Sequence, residues 1–213
     1  MKILIIGSHG KVGQQILRIL AQQGNYVRGM IRNENQAEEI IKLGGKPFVA
    51  DLEKDFSAAY EDIDTVIFTA GSGSHTGPEK TVAVDQEGAM KSISLAVEYE
   101  VSRYIMVSAQ GAREPERPSK IQYYYKAKAK ADEYLQRSGL DYTIFRPGRL
   151  NDDPPTKLIK VSGYFEESGT TSRGNLAYVI AESLNMPKTF QKVIEIFDGD
   201  IPIEEACENY CDE

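Results

Sequence analysis

Short apolar runs alternate with amphipathic helical patterns from the start of the chain. Lys2–Ile6 has the continuous apolar character of a buried parallel strand, and Val12, Ile16 and Leu20 then recur at helical spacing until Gly24. The same alternation predicts further strands at Tyr26–Ile31, 46–50, 65–69, Arg103–Val107, 141–145, 158–161 and 193–197. It predicts further helices at 36–43, near 56–60, around Ala89, Ile93, Ala96 and Val97, from about 122 to 137, around Leu176, Ala177, Ile180 and Leu184, and in the acidic C-terminal run.

The order of these elements predicts the fold class, α/β. Strands that alternate with helices form a parallel sheet with helices on both faces, and right-handed crossovers then restrict the topology to a doubly wound sheet of the Rossmann type. A length of 213 residues suits one domain. We therefore expect residues 1–213 to form a single domain with a very small C-terminal appendage on the substrate side. Ligands of such sheets bind beyond the carboxyl ends of the strands, so the residues that follow each strand are the candidates for function.

The charge balance disfavours several classes of partner. The chain has 32 acidic and 25 basic residues and a net charge of −7, which argues against nucleic acids and anionic membranes. No stretch approaches the roughly 20 apolar residues that cross a bilayer. The two cysteines, Cys207 and Cys211, lie in an acidic tail and are expected to be free thiols, and His75 is expected to be exposed in a glycine-rich loop. We expect a cytoplasmic protein, monomeric or homodimeric, that binds a small molecule.

A glycine-rich turn follows the first predicted strand and opens the first helix. The turn has the pattern G-x-x-G-x-x-G, in which the first glycine permits a tight turn, the second admits a pyrophosphate and the third allows close packing of helix on strand. The helix N-terminus offers unpaired N–H groups to the phosphates. The alternative is a turn with a structural role only. The predicted cofactor-binding residues of this turn are Gly7, Ser8, His9, Gly10, Lys11, Val12 and Gly13.

The end of the second strand predicts which dinucleotide binds. An NAD site usually has an acidic residue there, about 20 residues after the glycines, to bind the ribose 2′-hydroxyl. This chain has Arg32 instead, and a guanidinium attracts the 2′-phosphate that a carboxylate repels. We therefore expect NADP rather than NAD, with Lys11 and Arg28 as possible helpers. The alternatives are an exposed surface role for Arg32 and an ordinary exposed strand position for Arg28.

The ends of the third and fourth strands add further cofactor candidates. Asp51 and Leu52 follow the third strand, where a carboxylate suits the adenine amino group and an apolar side chain suits the ring. An equally weighted alternative makes Asp51 a helix N-cap. Thr69, Ala70 and Gly71 follow the fourth strand, where small residues allow the backbone to pass close to the cofactor, the alternative being an ordinary flexible turn.

Candidate catalytic residues follow the fifth strand and open the next long helix. Ser108 ends the strand, and Tyr124 and Lys128 are i, i+4 neighbours on one helix face. A nearby ammonium stabilises a phenolate, so Lys128 is expected to lower the pKa of Tyr124. Tyr124 is then the proton donor or acceptor at a carbonyl or alcohol while a hydride moves to or from nicotinamide, with Ser108 bonded to the reacting oxygen and Lys128 on the nicotinamide ribose. The alternative is an aromatic and cationic helix face that serves packing and solubility.

Several motifs together resemble one known family. The segments GSHGKVG, TAG, VSAQGA, YYYKAKAKADEYLQRSGLDYTIFRPGRL and TSRGNLA occur in this order and span nearly the whole chain. They resemble the atypical short-chain dehydrogenase/reductases, small NAD(P)-binding proteins similar to epimerases and dehydratases. The resemblance implies a Rossmann fold with Ser108, Tyr124 and Lys128 in the catalytic positions. It also implies that Arg146, Pro147 and Gly148 form a loop against the nicotinamide end of the cofactor.

The resemblance and the chain length together limit the reaction. Only 66 residues follow Pro147, which is 213 − 147, and the last strands and helices of the fold use most of them. A substantial sugar-nucleotide domain is therefore not expected. We expect an NADP-dependent oxidoreductase that transfers a hydride to a small carbonyl, quinone or flavin-like acceptor. The alternative, which the family also contains, is an NADP-binding redox sensor or regulatory protein without turnover.

Overall fold

A nine-stranded sheet forms the centre of the protein in a computed structural model that describes residues 1–73 and 76–210. Its strands are β1 (Lys2–Ile6), β2 (Tyr26–Ile31), β3 (Lys46–Val49), β4 (Thr65–Phe68), β5 (Arg103–Val107), β6 (Tyr142–Pro147), β8 (Leu158–Ser162), β10 (Lys192–Asp198) and β11 (Ile201–Pro202). A separate two-stranded sheet contains β7 (Arg149–Asn151) and β9 (Thr170–Ser172). The order of the large sheet is β3-β2-β1-β4-β5-β6-β10-β8-β11, which confirms the predicted doubly wound Rossmann arrangement.

The described part of the chain contains seven α-helices, six between strands and one after the last strand. They are α1 (Lys11–Gln22), α2 (Ala37–Lys42), α3 (Pro78–Thr81), α4 (Ala89–Glu98), α5 (Gln122–Gln136), α6 (Arg173–Ser183) and α7 (Ile203–Glu208). A π-helical segment, Val82–Gly88, joins α3 to α4. Within the described residues, no helix is long and apolar enough to cross a membrane.

Two apolar layers hold the helices to the sheet, one on each face. On β1, Ile3 and Ile5 point into one layer and Leu4 and Ile6 into the other, as the alternation of side chains along a strand requires. The first layer also contains residues of α1 and α6, and the second contains residues of α4 and α5. Because the central strands are buried on both faces, their sequences are apolar at nearly every position.

The sheet differs from the prediction at its C-terminal edge. Seven strands run parallel, but β8 and β11 are antiparallel to their neighbours. Strands β10 and β11 both pair with β8 and run in the same direction as each other, so β8 is the strand that runs against the rest of the large sheet. The two short strands β7 and β9 were not predicted either. They form the small appendage beside the carboxyl end of β6.

The acidic C-terminal helix is less solvated than its composition predicts. Ile203, Ala206, Cys207 and Tyr210 are buried on its inner side, while the glutamates of α7 face outward. Cys207 is a free, fully buried thiol. His75 and Cys211 lie outside the described residues.

Candidate functional site

The glycine turn forms a cradle between β1, α1 and the end of β4. Gly7 has φ +86°, and a Cβ there would lie 2.6 Å from the Ala70 backbone nitrogen. A Cβ on Gly13 would lie 2.4 Å from the Gly7 carbonyl oxygen. Larger residues at either position would therefore push these elements apart. The close fit leaves the backbone of the turn open toward the carboxyl edge of the sheet, where an anionic group can meet the start of α1.

A cavity of about 290 Å³ lies beside this cradle. Its lining comes from the ends of β1 to β4 and includes Gly7, His9, Gly10, Arg32, Asp51, Leu52, Thr69, Ala70 and Gly71. The structure thus brings together at one cavity most of the residues that the sequence assigns to the adenine half of a dinucleotide. The glycine cradle at the start of α1 fits the phosphates of an adenosine diphosphate moiety.

The basic side chains near this cavity divide into two groups. Arg32 is exposed and lines the cavity, and it has no ion pair among residues 1–73 and 76–210. Arg28 points elsewhere, because its Nη1 donates to the carbonyl oxygens of Ala59 at 2.8 Å and Glu61 at 3.0 Å. The suggestion that Arg28 assists at the 2′-phosphate is therefore not supported, whereas Arg32 remains available.

Other predicted cofactor residues have internal roles. The Ser8 hydroxyl is buried and donates to the Met30 carbonyl oxygen at 2.8 Å, so only the backbone of Ser8 can face a ligand. Val12 packs in the first apolar layer. The Asp51 carboxylate accepts the Glu53 N–H at 3.0 Å, which is a local turn and not the helix N-cap that we considered.

A carboxylate links the start of α1 to the start of α6. Asp152 pairs with Lys11 Nζ at 2.6 Å and with Arg173 Nη1 at 2.7 Å. Lys11, predicted to face a phosphate, therefore shares a carboxylate with a cation from the opposite side of the cleft. These three side chains are partly exposed, so the pairs contribute little to stability, but they bring two cations to the edge of the phosphate turn.

The Ser108 hydroxyl is turned toward the protein interior. Its Oγ donates to Asp132 Oδ2 at 2.9 Å, and Arg146 Nε donates to the same oxygen at 2.9 Å. Arg146 belongs to β6 and does not lie against the cavities, contrary to the loop that the resemblance implies for it. Asp132, which the sequence reasoning missed, lies on α5 one turn after Lys128 and is fully buried. Burial raises the pKa of the Asp132 carboxyl, although the neighbouring Arg146 and Ser108 act against this.

Lys128 is held by a second buried carboxylate. Its Nζ donates to the Val107 carbonyl oxygen at 3.1 Å and lies 3.4 Å from Asp85 Oδ1. Asp85, on the π-helical segment, accepts the Ser72 N–H at 2.9 Å with its other oxygen. Burial alone would lower the pKa of Lys128, but Tyr124 and the two aspartates outweigh it and raise the pKa. Lys128 is therefore charged and fixed in place.

Tyr124 remains protonated, which corrects the expected direction of its pKa shift. Burial raises the pKa of the Tyr124 phenol above its ordinary value, and the charge of Lys128 only partly opposes this. The Lys128 Nζ lies 5.9 Å from the centre of the Tyr124 ring. Desolvation of the phenolate therefore outweighs its attraction to the ammonium. The side chain is consequently a proton donor near neutral pH.

Ser108 and Tyr124 line a second cavity of about 750 Å³. Pro147 and Gly148 line it too, as the resemblance implies. The two cavities lie at the carboxyl ends of successive strands of the parallel sheet, the smaller one at β1 to β4 and the larger one at β5 and β6. This distribution suits a dinucleotide whose nicotinamide end meets a second ligand in the larger cavity.

The rims of the larger cavity are joined by a buried ion pair that the sequence reasoning also missed. Glu195 on β10 is fully buried and accepts Arg113 Nη1 at 2.9 Å and the Phe165 N–H at 2.9 Å. Arg113 belongs to the rim that follows β5, and Phe165 to the rim that follows β8. A charged residue within the apolar run VIEIF is the signal that points to such a partner.

Comparisons with known proteins agree with this site. A family model described as NAD(P)H-binding matches residues 7–187. The uncharacterized sugar epimerase YhfK of Bacillus subtilis is 37% identical over 97% of this chain and 98% of its own length. A Bacillus halodurans structure, named as a candidate NAD-dependent epimerase/dehydratase, is 41% identical, covers 98% of this chain and 99% of its own, and has a TM-score of 0.95. The oxidoreductase ylbE from Lactococcus lactis is 31% identical, covers 98% and 95% of the two chains, and has a TM-score of 0.85.

The matched region contains the glycine cradle, the tyrosine and lysine pair and both cavities. Family match, fold and site geometry therefore agree, and the chain belongs to the NAD(P)H-binding family and has its Rossmann fold.

Proposed function

We propose that the protein is an NADP-dependent oxidoreductase that reduces a small carbonyl, quinone or flavin-like acceptor, with residues 1–213 acting as one NAD(P)-binding unit. The observation that carries this proposal is the position of Tyr124 at the wall of the larger cavity, one helical turn from the buried Lys128. A proton donor next to a cavity of this size suits reduction of an acceptor that gains a proton.

The coenzyme, when bound, supplies the hydride that reduces the acceptor carbon. Tyr124 donates its phenolic proton to the acceptor oxygen, and the resulting phenolate takes a proton from solvent before the next cycle. Lys128 stabilises that phenolate by its charge. Asp85 and the Val107 carbonyl hold the ammonium so that it does not move during the proton transfer.

The preference for NADP rests on Arg32. Its guanidinium is exposed at the smaller cavity and lacks an ion pair within the described part of the chain. A 2′-phosphate would supply the missing charge-assisted hydrogen bonds. The residues of the glycine turn, Asp51, Leu52 and the 69–71 segment would hold the rest of the adenosine, and Pro147 and Gly148 the nicotinamide end.

A regulatory function is the second candidate, and one observation favours it. The Ser108 hydroxyl and the Lys128 ammonium are both engaged in internal hydrogen bonds, so two of the three catalytic candidates are not directed at a ligand. A sensor would bind NADPH and change a partner contact without consuming it.

Titration of one preparation with NADPH and NADH, followed by a reductase screen, tests the proposal. We expect tighter binding of NADPH and its oxidation by at least one member of a carbonyl and quinone panel. Binding of NADPH without oxidation by any acceptor would favour the regulatory function. Failure of both coenzymes to bind would contradict both candidates.

A further inference from the structure

Two backbone hydrogen bonds fix the orientation of the Gln36 side-chain amide. Its oxygen, Oε1, accepts the N–H of Arg32 at 3.1 Å and the N–H of Asn33 at 3.2 Å, at the end of β2. The second contact is half of a capping box with Asn33. Only the oxygen of an amide accepts hydrogen bonds, because its nitrogen carries two protons. The amide nitrogen, Nε2, is therefore the atom that lies 3.2 Å from His9 Nδ1 in the glycine turn.

This orientation determines which nitrogen of the His9 ring carries the proton. The Gln36 nitrogen donates, so His9 Nδ1 accepts and has no proton of its own. In a neutral imidazole the proton then lies on the other ring nitrogen, Nε2. A proton on Nδ1 would face the amide protons of Gln36, and rotation of the amide would break both of its hydrogen bonds to the backbone. His9 is therefore held as a hydrogen-bond donor at Nε2.

The His9 ring belongs to the wall of the smaller cavity. His9 is exposed and lines this cavity together with Arg32 and Gln36. Within residues 1–73 and 76–210, neither His9 Nε2 nor the Arg32 guanidinium has a hydrogen-bond partner. Both groups donate hydrogen bonds and neither accepts them in this state. A phosphate, with its negative charge and three acceptor oxygens, matches such a pair of donors better than a hydroxyl does.

The acidic side chains of the same wall are engaged elsewhere. Glu53 pairs with Lys80, and Asp51 accepts the Glu53 N–H in a local turn. The donors at the end of β2 and in the glycine turn are therefore left to a ligand.

We propose that His9 is a coenzyme-specificity residue, which donates from Nε2 to the 2′-phosphate bound by Arg32, and that Gln36 is the positioning residue that keeps this proton on Nε2. The inference rests on the proposed function for the identity of the coenzyme. Gln36 contacts the backbone of Arg32 and the ring of His9, so one side chain sets the positions of both donors. A hydrogen bond to a charged phosphate corresponds to roughly tenfold or more in affinity.

Nitrogen-15 NMR of the ring reads the position of the proton without any coenzyme. In a His75→Ala background His9 is the single histidine of the chain. At about pH 8.5, where imidazoles are neutral, we expect the proton on Nε2 and none on Nδ1. In Gln36→Glu a carboxylate can keep both backbone contacts and accept from His9, so we expect the proton to move to Nδ1. Gln22→Glu, the same change on an exposed residue of α1, is the control and should leave the ring as it is.

Fluorescence titrations with NADPH and NADH test the contact with the phosphate. In His9→Ala we expect NADPH affinity to fall by roughly fivefold or more, and NADH affinity to change by less than about twofold. Gln36→Met removes the amide donor without adding a charge. We expect it to weaken NADPH binding by roughly fivefold in the unchanged background but by about twofold or less in the His9→Ala background, because Gln36 acts mainly through His9.

Three results would overturn the inference. They are a proton on Nδ1 in the free protein, unchanged NADPH affinity in His9→Ala, and equal losses of NADPH and NADH affinity in that variant. Absence of NADPH binding to the unchanged protein would contradict the proposed function and this inference with it. Tight NADPH binding that does not depend on His9 would remove the inference alone.

Discussion

Tyr124 and Lys128 lie one helical turn apart on α5, with the lysine Nζ 5.9 Å from the centre of the tyrosine ring. Burial raises the pKa of the Tyr124 phenol above its ordinary value, and the charge of Lys128 only partly opposes this shift. The pair is therefore poised to give a proton and not to take one at neutral pH.

Replacement of Tyr124 by Phe removes the proton donor and keeps the ring. We expect turnover to fall by roughly a hundredfold or more, because general acid catalysis typically contributes that much. The dissociation constant for NADPH should change by less than about twofold. Stopped-flow oxidation of NADPH and a fluorescence titration measure the two effects. Tyr123→Phe, on the neighbouring residue, is the matched control, and full activity of Tyr124→Phe would exclude this residue as the donor.

Arg32 should discriminate between the two nicotinamide coenzymes. In Arg32→Glu a carboxylate would face the 2′-phosphate, and we expect NADPH affinity to fall by roughly ten- to a hundredfold. NADH lacks this phosphate, so its affinity should change little. Arg18→Glu makes the same charge change on an exposed residue of α1 and controls for net charge. Equal losses for NADPH and NADH would remove Arg32 from the 2′-phosphate site.

The contact between Gly13 and Gly7 predicts a loss of coenzyme binding in Gly13→Ala. The new Cβ would lie 2.4 Å from the Gly7 carbonyl oxygen, so α1 has to move away from the phosphate turn. We expect NADPH affinity to fall at least about tenfold although alanine favours helix formation. Gly77→Ala is the control, since among the described residues beyond its chain neighbours no atom lies within 4 Å of a Cβ there. Unchanged affinity in Gly13→Ala would show that the turn does not need this close contact.

Cys207 predicts a loss of stability at alkaline pH. Burial raises the pKa of its thiol to about 12 from 9.0, so the unfolded chain releases this proton first. The contribution is complete below pH 9 and is lost as the pH rises toward 12. Between pH 8 and 10 the free energy of unfolding should fall by about 1 kcal/mol more in the unchanged protein than in Cys207→Ala. Urea denaturation at a series of pH values measures both slopes, and identical slopes would contradict the assignment.

The sequence predicts the central strands well because burial on both faces makes them continuously apolar. Lys2–Ile6, Tyr26–Ile31 and Arg103–Val107 have the predicted limits. The short strands β7 and β9 carry mostly polar residues, and their pairing depends on a contact between segments about 20 residues apart in the chain. No local pattern of the sequence contains that information.

The site residues also divide into those with a local sequence pattern, which can be predicted, and those whose role depends on packing, which cannot. The glycine turn, Arg32 and the tyrosine and lysine pair have characteristic spacing along the chain, so the sequence identifies them as candidates. Asp85 and Asp132 lie in segments with many polar residues, and only the packing of α5 against the π-helical segment shows that they are buried. The reversed shift of the Tyr124 pKa has the same origin, because the extent of burial cannot be read from an i, i+4 pair.

The buried carboxylate of Glu195 affects which parts of this fold can change in sequence without loss of structure. It anchors both rims of the larger cavity to β10, far along the chain from the glycine turn. Substitutions on the side of either rim that faces away from Glu195 can alter which ligand fits the cavity. The backbone that Glu195 anchors and the glycine turn would stay unchanged. Laboratory selection for new acceptors should therefore accumulate changes on these rims and retain Glu195 with its arginine.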